Sequence, residues 1–239
     1  MSKIKPVTKK ICVVIPAFNE EQVIKDVILD VKSSFDKTNY QTEIVLVNDA
    51  SKDNTAKIAK KYGATIINHI LNTGAGGATA TGLSYAQQND FDIACTMDAD
   101  GQHASEDVVK GVKLLIEHNI DLMIGSRLIS SQGMSTAKII GNKGLSFITY
   151  VLFGISSTDS QSGLRIFSKT ALEQLHWKTN GYEFCSEMLW RAKQQKLHIS
   201  EYPIQAIYTE YSMAKGQNNW NAINILKNLI RRRVVEMFE

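Results

Sequence analysis

Short runs of β-branched and apolar residues alternate along this chain with longer stretches of helical periodicity, and no other feature narrows the choice of fold as much. Ile11–Ile15, Glu43–Val47, Ala64–Asn68, Ile93–Met97 and Asp121–Gly125 read as strands. Glu20–Ser34, Asp53–Tyr62, Gly76–Gln88 and Glu106–Glu117 read as the helices between them. Such wiring predicts an α/β fold: a mostly parallel central sheet with helices on both faces. After Gly125 the alternation breaks down into a polar link, an apolar helix near Lys143–Phe153, a helix near Phe184–Gln194 and a strand near Ile199–Ile207. No internal repeat or Pro-rich linker marks a second domain. At 239 residues and 44% hydrophobic, the chain has enough apolar surface for one sizeable core, which excludes a disordered or fibrous reading.

The net charge of +3 is too small for wrapping nucleic acid, and basic residues cluster only at Arg231, Arg232 and Arg233. Cys12, Cys95 and Cys185 are widely spaced and odd in number, which argues for a reduced, cytoplasmic compartment. The basic segment 1–10 leads into an apolar run, Ile11–Ile15, too short for a signal peptide. Leu145–Ile155 falls short of the roughly 20 residues a bilayer-spanning helix needs. Neither export nor a membrane span is expected.

In open α/β sheets the ligand crevice lies outside the carboxyl ends of the strands, so the motifs there are the place to look for chemistry. Pro16-Ala17-Phe18-Asn19-Glu20 follows the first strand. Proline is expected to end that strand, with Asn19 and Glu20 capping the next helix or presenting polar groups to a ligand. Asp49, at the tip of the second strand, is suited to a ribose or base edge, with helix capping as the alternative. Asn72-Thr73-Gly74-Ala75-Gly76-Gly77-Ala78 opens a helix, where glycines allow close backbone approach and free amides favour an anion.

Met97-Asp98-Ala99-Asp100-Gly101-Gln102-His103 carries more weight. Two carboxylates so close repel unless a cation or hydrogen-bond donors compensate them, and hard divalent cations prefer oxygen ligands. Mg²⁺ or Mn²⁺ bridging a diphosphate fits Asp98 and Asp100, with Gln102 as a further oxygen donor; a solvated acidic turn is the plain alternative. His103 suits a supporting role better than that of a ligand to so hard a cation. In Ser157-Thr158-Asp159-Ser160-Gln161-Ser162-Gly163-Leu164-Arg165, Asp159 is a candidate base or organiser and Arg165 a candidate phosphate clamp; a structural Asp–Arg pair is the alternative. Arg127, ending the fifth strand, places another guanidinium at the same edge.

The order of these motifs resembles the family-2 glycosyltransferases, and among them the dolichyl-phosphate mannosyltransferase-like branch, over roughly Ile11 to Lys215. The resemblance implies a glycosyltransferase-A, Rossmann-like catalytic domain over 11–217, an N-terminal extension over 1–10 and a C-terminal amphipathic basic helix over 218–239. It implies a nucleotide pocket lined by Pro16, Phe18, Asn19, Glu20 and Gly76, with Asp49 near the base. Asp98 would contact the nucleotide or metal, with Asp100 and Gln102 holding the cation on the diphosphate. Arg127 and Lys138 would receive an acceptor phosphate, Glu187 would lie near the sugar, and Lys215 would close over the diphosphate. The chain departs from the family pattern at Ala75, where a lysine is common, at Asn48, where a second acid is common, and at Lys138, at an arginine position.

Inverting transfer follows from the resemblance. A lipid phosphate acceptor is already ionised and needs no strong base, which leaves Asp159 as organiser; a sugar-hydroxyl acceptor would need Asp159 as base. A non-catalytic nucleotide-sugar-binding subunit is a further reading. Trp220 to Val234 has apolar residues at helical spacing and ends in the arginine run, as an interfacial helix on anionic lipid would; packing on the domain is the alternative. Phe147–Phe153 offers a second candidate surface for lipid, equally suited to the core or to an oligomer contact; a membrane partner protein or a homo-oligomer is the further partner expected.

Overall fold

The central strand β1 (Lys10–Ala17) is apolar on both faces, and Ile11 to Ile15 are fully buried, as a strand covered on both sides by helices must be. Around it the chain runs α1 (Ile24–Phe35), β2 (Gln41–Asn48), α2 (Thr55–Lys61), β3 (Thr65–Asn68), α3 (Ala75–Gln88), β4 (Ile93–Thr96), α4 (Ser105–His118) and β5 (Leu122–Ser126). There follow α5 (Thr136–Phe153), β6 (Arg165–Ser168), α6 (Lys169–Gln174), α7 (Phe184–Gln194) and β7 (Ile199–Pro203). This computed structural model describes residues 8–130, 134–208, 211, 227–231 and 233.

The seven strands form one sheet in the order β3-β2-β1-β4-β6-β5-β7. All neighbours pair in parallel except β6, which is antiparallel to both β4 and β5. The expected mostly parallel, helix-covered sheet is therefore present. Alternate residues of β1 divide between two cores. Ile11, Val13 and Ile15 pack with α1, α2 and α4 on one face; Cys12 and Val14 pack with α3, α5, α6 and α7 on the other. Leu229 joins the second core, so the described part of the terminal helical segment is anchored on the domain. Among the described residues all three cysteines are free and buried.

Three sequence expectations need correction. Pro16 does not end β1: pairing with β2 continues to Ala17↔Asn48, whereas pairing with β4 stops at Val14↔Thr96. The Val14 carbonyl accepts from Met97 on the β4 side, and Pro16, two residues on, points the same way, where no ladder bond is required of it. Helix α5 begins seven residues before Lys143, capped by Ser135, whose hydroxyl accepts from the Lys138 amide; Gly141 and Gly144 disguise its early turns. Arg165, expected as a phosphate clamp, begins β6, an element the polar reading of 157–165 concealed. It is fully buried and donates to the carbonyls of Ser160, Ser162 and Cys185.

Candidate active site

The crossovers from β1 to β2 and from β3 to β4 lie on opposite faces, since α1 belongs to the first core and α3 to the second. A crevice therefore opens between the carboxyl ends of β1 and β4, where strand order reverses. Because β6 runs backwards, its entry loop reaches the same edge as the exits of β4 and β5.

Asn19 and Glu20 fill the β1 side. Asn19 takes a left-handed turn at φ 56°, its amide donating to Ser51 Oγ (3.0 Å) and its Oδ1 accepting from the Lys52 amide (2.8 Å). That conformation suits asparagine better than most residues. Glu20 is buried, its amide bonded to Thr55 Oγ1 (2.8 Å), and its Oε2 accepts from the hydroxyl of Tyr211 (2.8 Å). Phe18 is partly exposed beside them.

Asp98 and Asp100 form the β4 side. The buried ring of His103 donates from Nε2 to Asp98 Oδ2 at 3.1 Å, and its Nδ1 has no partner among the described residues. The backbone of Gly163 closes on the same carboxylate: a Cβ there would stand 2.3 Å from Asp98 Oδ1. Desolvation by the crevice walls works to raise the Asp98 carboxyl, but the His103 bond and the charges of Arg127 and Arg165 outweigh it and hold it below the ordinary range. For Asp100, desolvation and the Asp98 charge, with Glu20 adding to both, push the carboxyl up to about 6. Like charges are thus gathered at one spot. Gln102 turns its amide nitrogen, not its oxygen, to this pair, with Nε2 2.7 Å from Asp100 Oδ2, so it supports the carboxylate. No group of three or more His, Cys, Asp or Glu among the described residues is arranged to hold a metal ion unaided.

Opposite the acids, Arg127 and Asp159 make a two-point ion pair: Nε and Nη2 of the guanidinium lie 2.7 and 2.9 Å from the two carboxylate oxygens, and the Arg127 amide adds a third bond at 3.2 Å. Asp159 is fully buried. Desolvation opposes the Arg127 charge, but Asp159 overrides it and holds the proton more firmly than usual. Lys138 Nζ sits 4.0 Å above the ring of Tyr208, and desolvation together with Arg127 lowers its affinity for a proton. Acids on one side thus face cations on the other.

Other expected ligand contacts are turned inward. Asp49 is saturated by its own chain, accepting from His69 Nδ1 (2.7 Å), from the amide and hydroxyl of Thr73 (2.8 and 2.9 Å) and from the Gly74 amide (2.8 Å). Burial opposes its charge, but these donors prevail and lower its pKa. The amide of Gly76 is not open to an anion: it donates to the Asn180 carbonyl (2.8 Å), and a Cβ there would meet the Thr179 carbonyl at 2.6 Å. Glu187 is buried and holds the facing turn through the amides of Lys178 (3.1 Å) and Thr179 (3.0 Å) and the Thr179 hydroxyl (2.7 Å). Lys215 lies outside the described residues. Tyr208 escaped the sequence reading, and Tyr182, in the segment 181–184 that resembles the family, was given no role there. Both feel the charges of this crevice, and each has its hydroxyl pKa raised, chiefly by desolvation. A lone tyrosine carries no spacing signal that could have found them.

A family model described as glycosyl transferase family 2 matches residues 12–176. The chain is 42% identical, over 97% of its length and 99% of the relative's, to a UDP-N-acetylglucosamine–dolichyl-phosphate N-acetylglucosaminyltransferase of Methanococcus voltae. It is 24% identical, over 87% of its length and 81% of the relative's, to the polyprenol monophosphomannose synthase of Mycolicibacterium smegmatis. Among solved structures, mannosyl-3-phosphoglycerate synthase of Rubrobacter xylanophilus superposes with a TM-score of 0.75 at 15% identity, covering 96% of this chain and 74% of that one. A Mn²⁺, UDP and glucosyl-3-phosphoglycerate complex of glucosyl-3-phosphoglycerate synthase from Mycobacterium tuberculosis superposes with a TM-score of 0.70 at 19% identity, over 93% of this chain and 77% of that one. On this match the chain belongs to glycosyl transferase family 2, as an enzyme of the glycosyltransferase-A fold.

Proposed function

We propose that this enzyme transfers one sugar from a nucleoside-diphosphate sugar to a polyprenyl phosphate, with inversion, at the cytoplasmic surface of a membrane. The observation that carries the reading is the near full-length likeness to a dolichyl-phosphate N-acetylglucosaminyltransferase. The charge layout supports it, because two phosphate-bearing substrates need two separate anion seats.

On the donor side, Asp98 and Asp100 place two carboxylates on one rim, oxygen donors of the kind a hard divalent cation takes, and Glu20 adds negative charge nearby. The diphosphate oxygens of the donor would complete its coordination. When bound, Mg²⁺ or Mn²⁺ neutralises charge that builds on the departing diphosphate. His103 holds Asp98 in place and Gln102 holds Asp100. Asn19 and Asp49 shape the floor for the nucleotide by tying the loops after β1 and β2.

On the acceptor side, Arg127 keeps, among the described residues, three of its five guanidinium N–H groups after pairing with Asp159. Those donors, with Lys138, would seat the acceptor phosphate, whose ionised oxygen attacks the anomeric carbon opposite the leaving diphosphate. Asp159 aims Arg127 and takes no proton. Transfer to a sugar hydroxyl is the weaker reading, since the oxygens its base would need are already engaged by Arg127. The test is a panel of nucleotide sugars offered with a polyprenyl phosphate and Mg²⁺ or Mn²⁺, followed by mass spectrometry of the extracted lipid. A glycosylated lipid phosphate is expected; transfer to glycan hydroxyls alone would refute the assignment.

A further inference from the structure

Ser126 and Thr158 stand one residue before Arg127 and Asp159, and their hydroxyl oxygens lie 2.6 Å apart. The ion pair is thus one of two consecutive rungs between the same two loops. Ser126 is fully buried, whereas Thr158 is exposed and needs an anchor of its own. Glu201 supplies it. This residue is the middle one of β7, an edge strand, and pairs in register with Ile124 of β5, three residues before Arg127.

The Glu201 carboxylate is engaged by the loop that leads into Asp159. Its Oε1 accepts from the Ser157 hydroxyl (2.6 Å) and the Thr158 amide (3.0 Å). Its Oε2 accepts from the Thr158 hydroxyl (2.5 Å) and, at 3.1 Å, from the same amide. Among the described residues no cation pairs with it. An ionised carboxylate only accepts, so the single hydroxyl proton of Thr158 goes to Glu201, and Ser126 must donate to Thr158 in turn. The order Ser126, Thr158, Glu201 is therefore fixed, and each bond in such a chain polarises the next. On the far side of Asp159 the loop is held by Arg165, which donates to the carbonyls of Ser160 and Ser162. Asp159 is gripped on both flanks, by a cation that gathers carbonyls and by an anion that gathers N–H and O–H groups.

We propose that Glu201 is a positioning residue for transfer: by fixing Thr158 it sets where the Asp159 carboxylate stands, and so the direction in which Arg127 presents its remaining N–H donors. The inference deepens the polyprenyl-phosphate reading and rests on it for the group that Arg127 receives. The lever is short, because Thr158 and Asp159 are adjacent in the chain. A shift of about an ångström at a group that seats a substrate can cost on the order of 100-fold in rate. Glu201 itself meets no reacting atom in this scheme.

The test reads acceptor and donor separately in the full chain, with a nucleotide sugar and a short-chain polyprenyl phosphate. Glu201→Ala should lower kcat/KM for the lipid phosphate by about 10- to 100-fold. Glu201→Gln, which keeps the bulk and one accepting oxygen, should lose less. Donor affinity, measured calorimetrically without acceptor, should be unchanged in both. Thr158→Val should resemble Glu201→Ala, and Thr158→Ser, which keeps the hydroxyl, should restore the acceptor kcat/KM. The losses of Glu201→Ala and Thr158→Val should not add when combined, since both remove one contact. Unchanged acceptor kcat/KM in Glu201→Ala would overturn the proposal. So would an equal fall in donor affinity with a lowered melting temperature, the mark of a residue that only stabilises the domain. If the wild type glycosylates no polyprenyl phosphate, the acceptor reading fails, and a crystal structure of Glu201→Ala judges the role alone. An Arg127–Asp159 pair still at 2.7 and 2.9 Å would refute positioning by Glu201, and a displaced pair would uphold it.

Discussion

Arg127 and Asp159 come from loops 32 residues apart, yet meet in a two-point ion pair at 2.7 and 2.9 Å, at the edge where the exit of β5 and the entry to β6 converge. Asp159→Ala would leave a largely buried guanidinium without its counter-charge, at a cost of about 3–5 kcal/mol. Calorimetry should show that loss. Asp159→Asn should keep most of the stability while slowing transfer, with the shape of the pH–rate profile unaltered. Loss of the acidic limb of that profile would identify Asp159 as the base after all.

Asp100→Ala should reduce metal-dependent transfer by about 100-fold or more, because the donor diphosphate would lose its link to the protein through the cation. Circular dichroism should report an unchanged fold. Activity of the wild type in saturating EDTA would contradict the role given to this carboxylate.

Gly163→Ala places a methyl group within 2.3 Å of Asp98 Oδ1, so the carboxylate must swing away from His103. The expected result is a marked fall in kcat/KM for the donor, with a melting temperature lowered by only a few degrees. An alanine variant of full activity would show that the position of Asp98 is not critical.

Asp49 couples stability to acid. Its carboxyl is depressed below the ordinary value of 3.8, so its contribution is fully present above that value and is lost as pH falls through the lower folded value. Asp49→Asn should therefore be less stable than wild type by about 1–3 kcal/mol near neutral pH. The gap should narrow only below about pH 4. Denaturant titrations at pH 7 and pH 3 would measure it, and a constant difference would exclude the linkage.

Strands β1 and β4 were legible because burial on both faces writes each as a short, mostly apolar run, whereas the half-buried edge strand β3 shows itself by its β-branched Thr65-Ile66-Ile67. Four-residue β6 was not, since it opens with a buried arginine whose charge is met by three carbonyls supplied from 160, 162 and 185. Local pattern cannot show such compensation. The site divides in the same way. Asp98 and Asp100 announce themselves by adjacency, whereas Asp49, Glu187 and Gly76 look free in sequence and are occupied by neighbours that only folding brings to them. Pairing Asp159 with Arg127 and not Arg165 likewise depends on the reversed strand, which turns one arginine inward and leaves the other at the edge.

That single reversed strand also separates two rims of opposite charge. To one side of β6 lie strands whose exits are acidic, with Glu20, Asp98 and Asp100; to the other lies β5, whose exit is cationic, with Arg127. Under the proposed transfer, the donor diphosphate would meet the acidic rim through a bound cation and the acceptor phosphate would meet the guanidinium directly, so the order of the strands would give two anions two different kinds of partner.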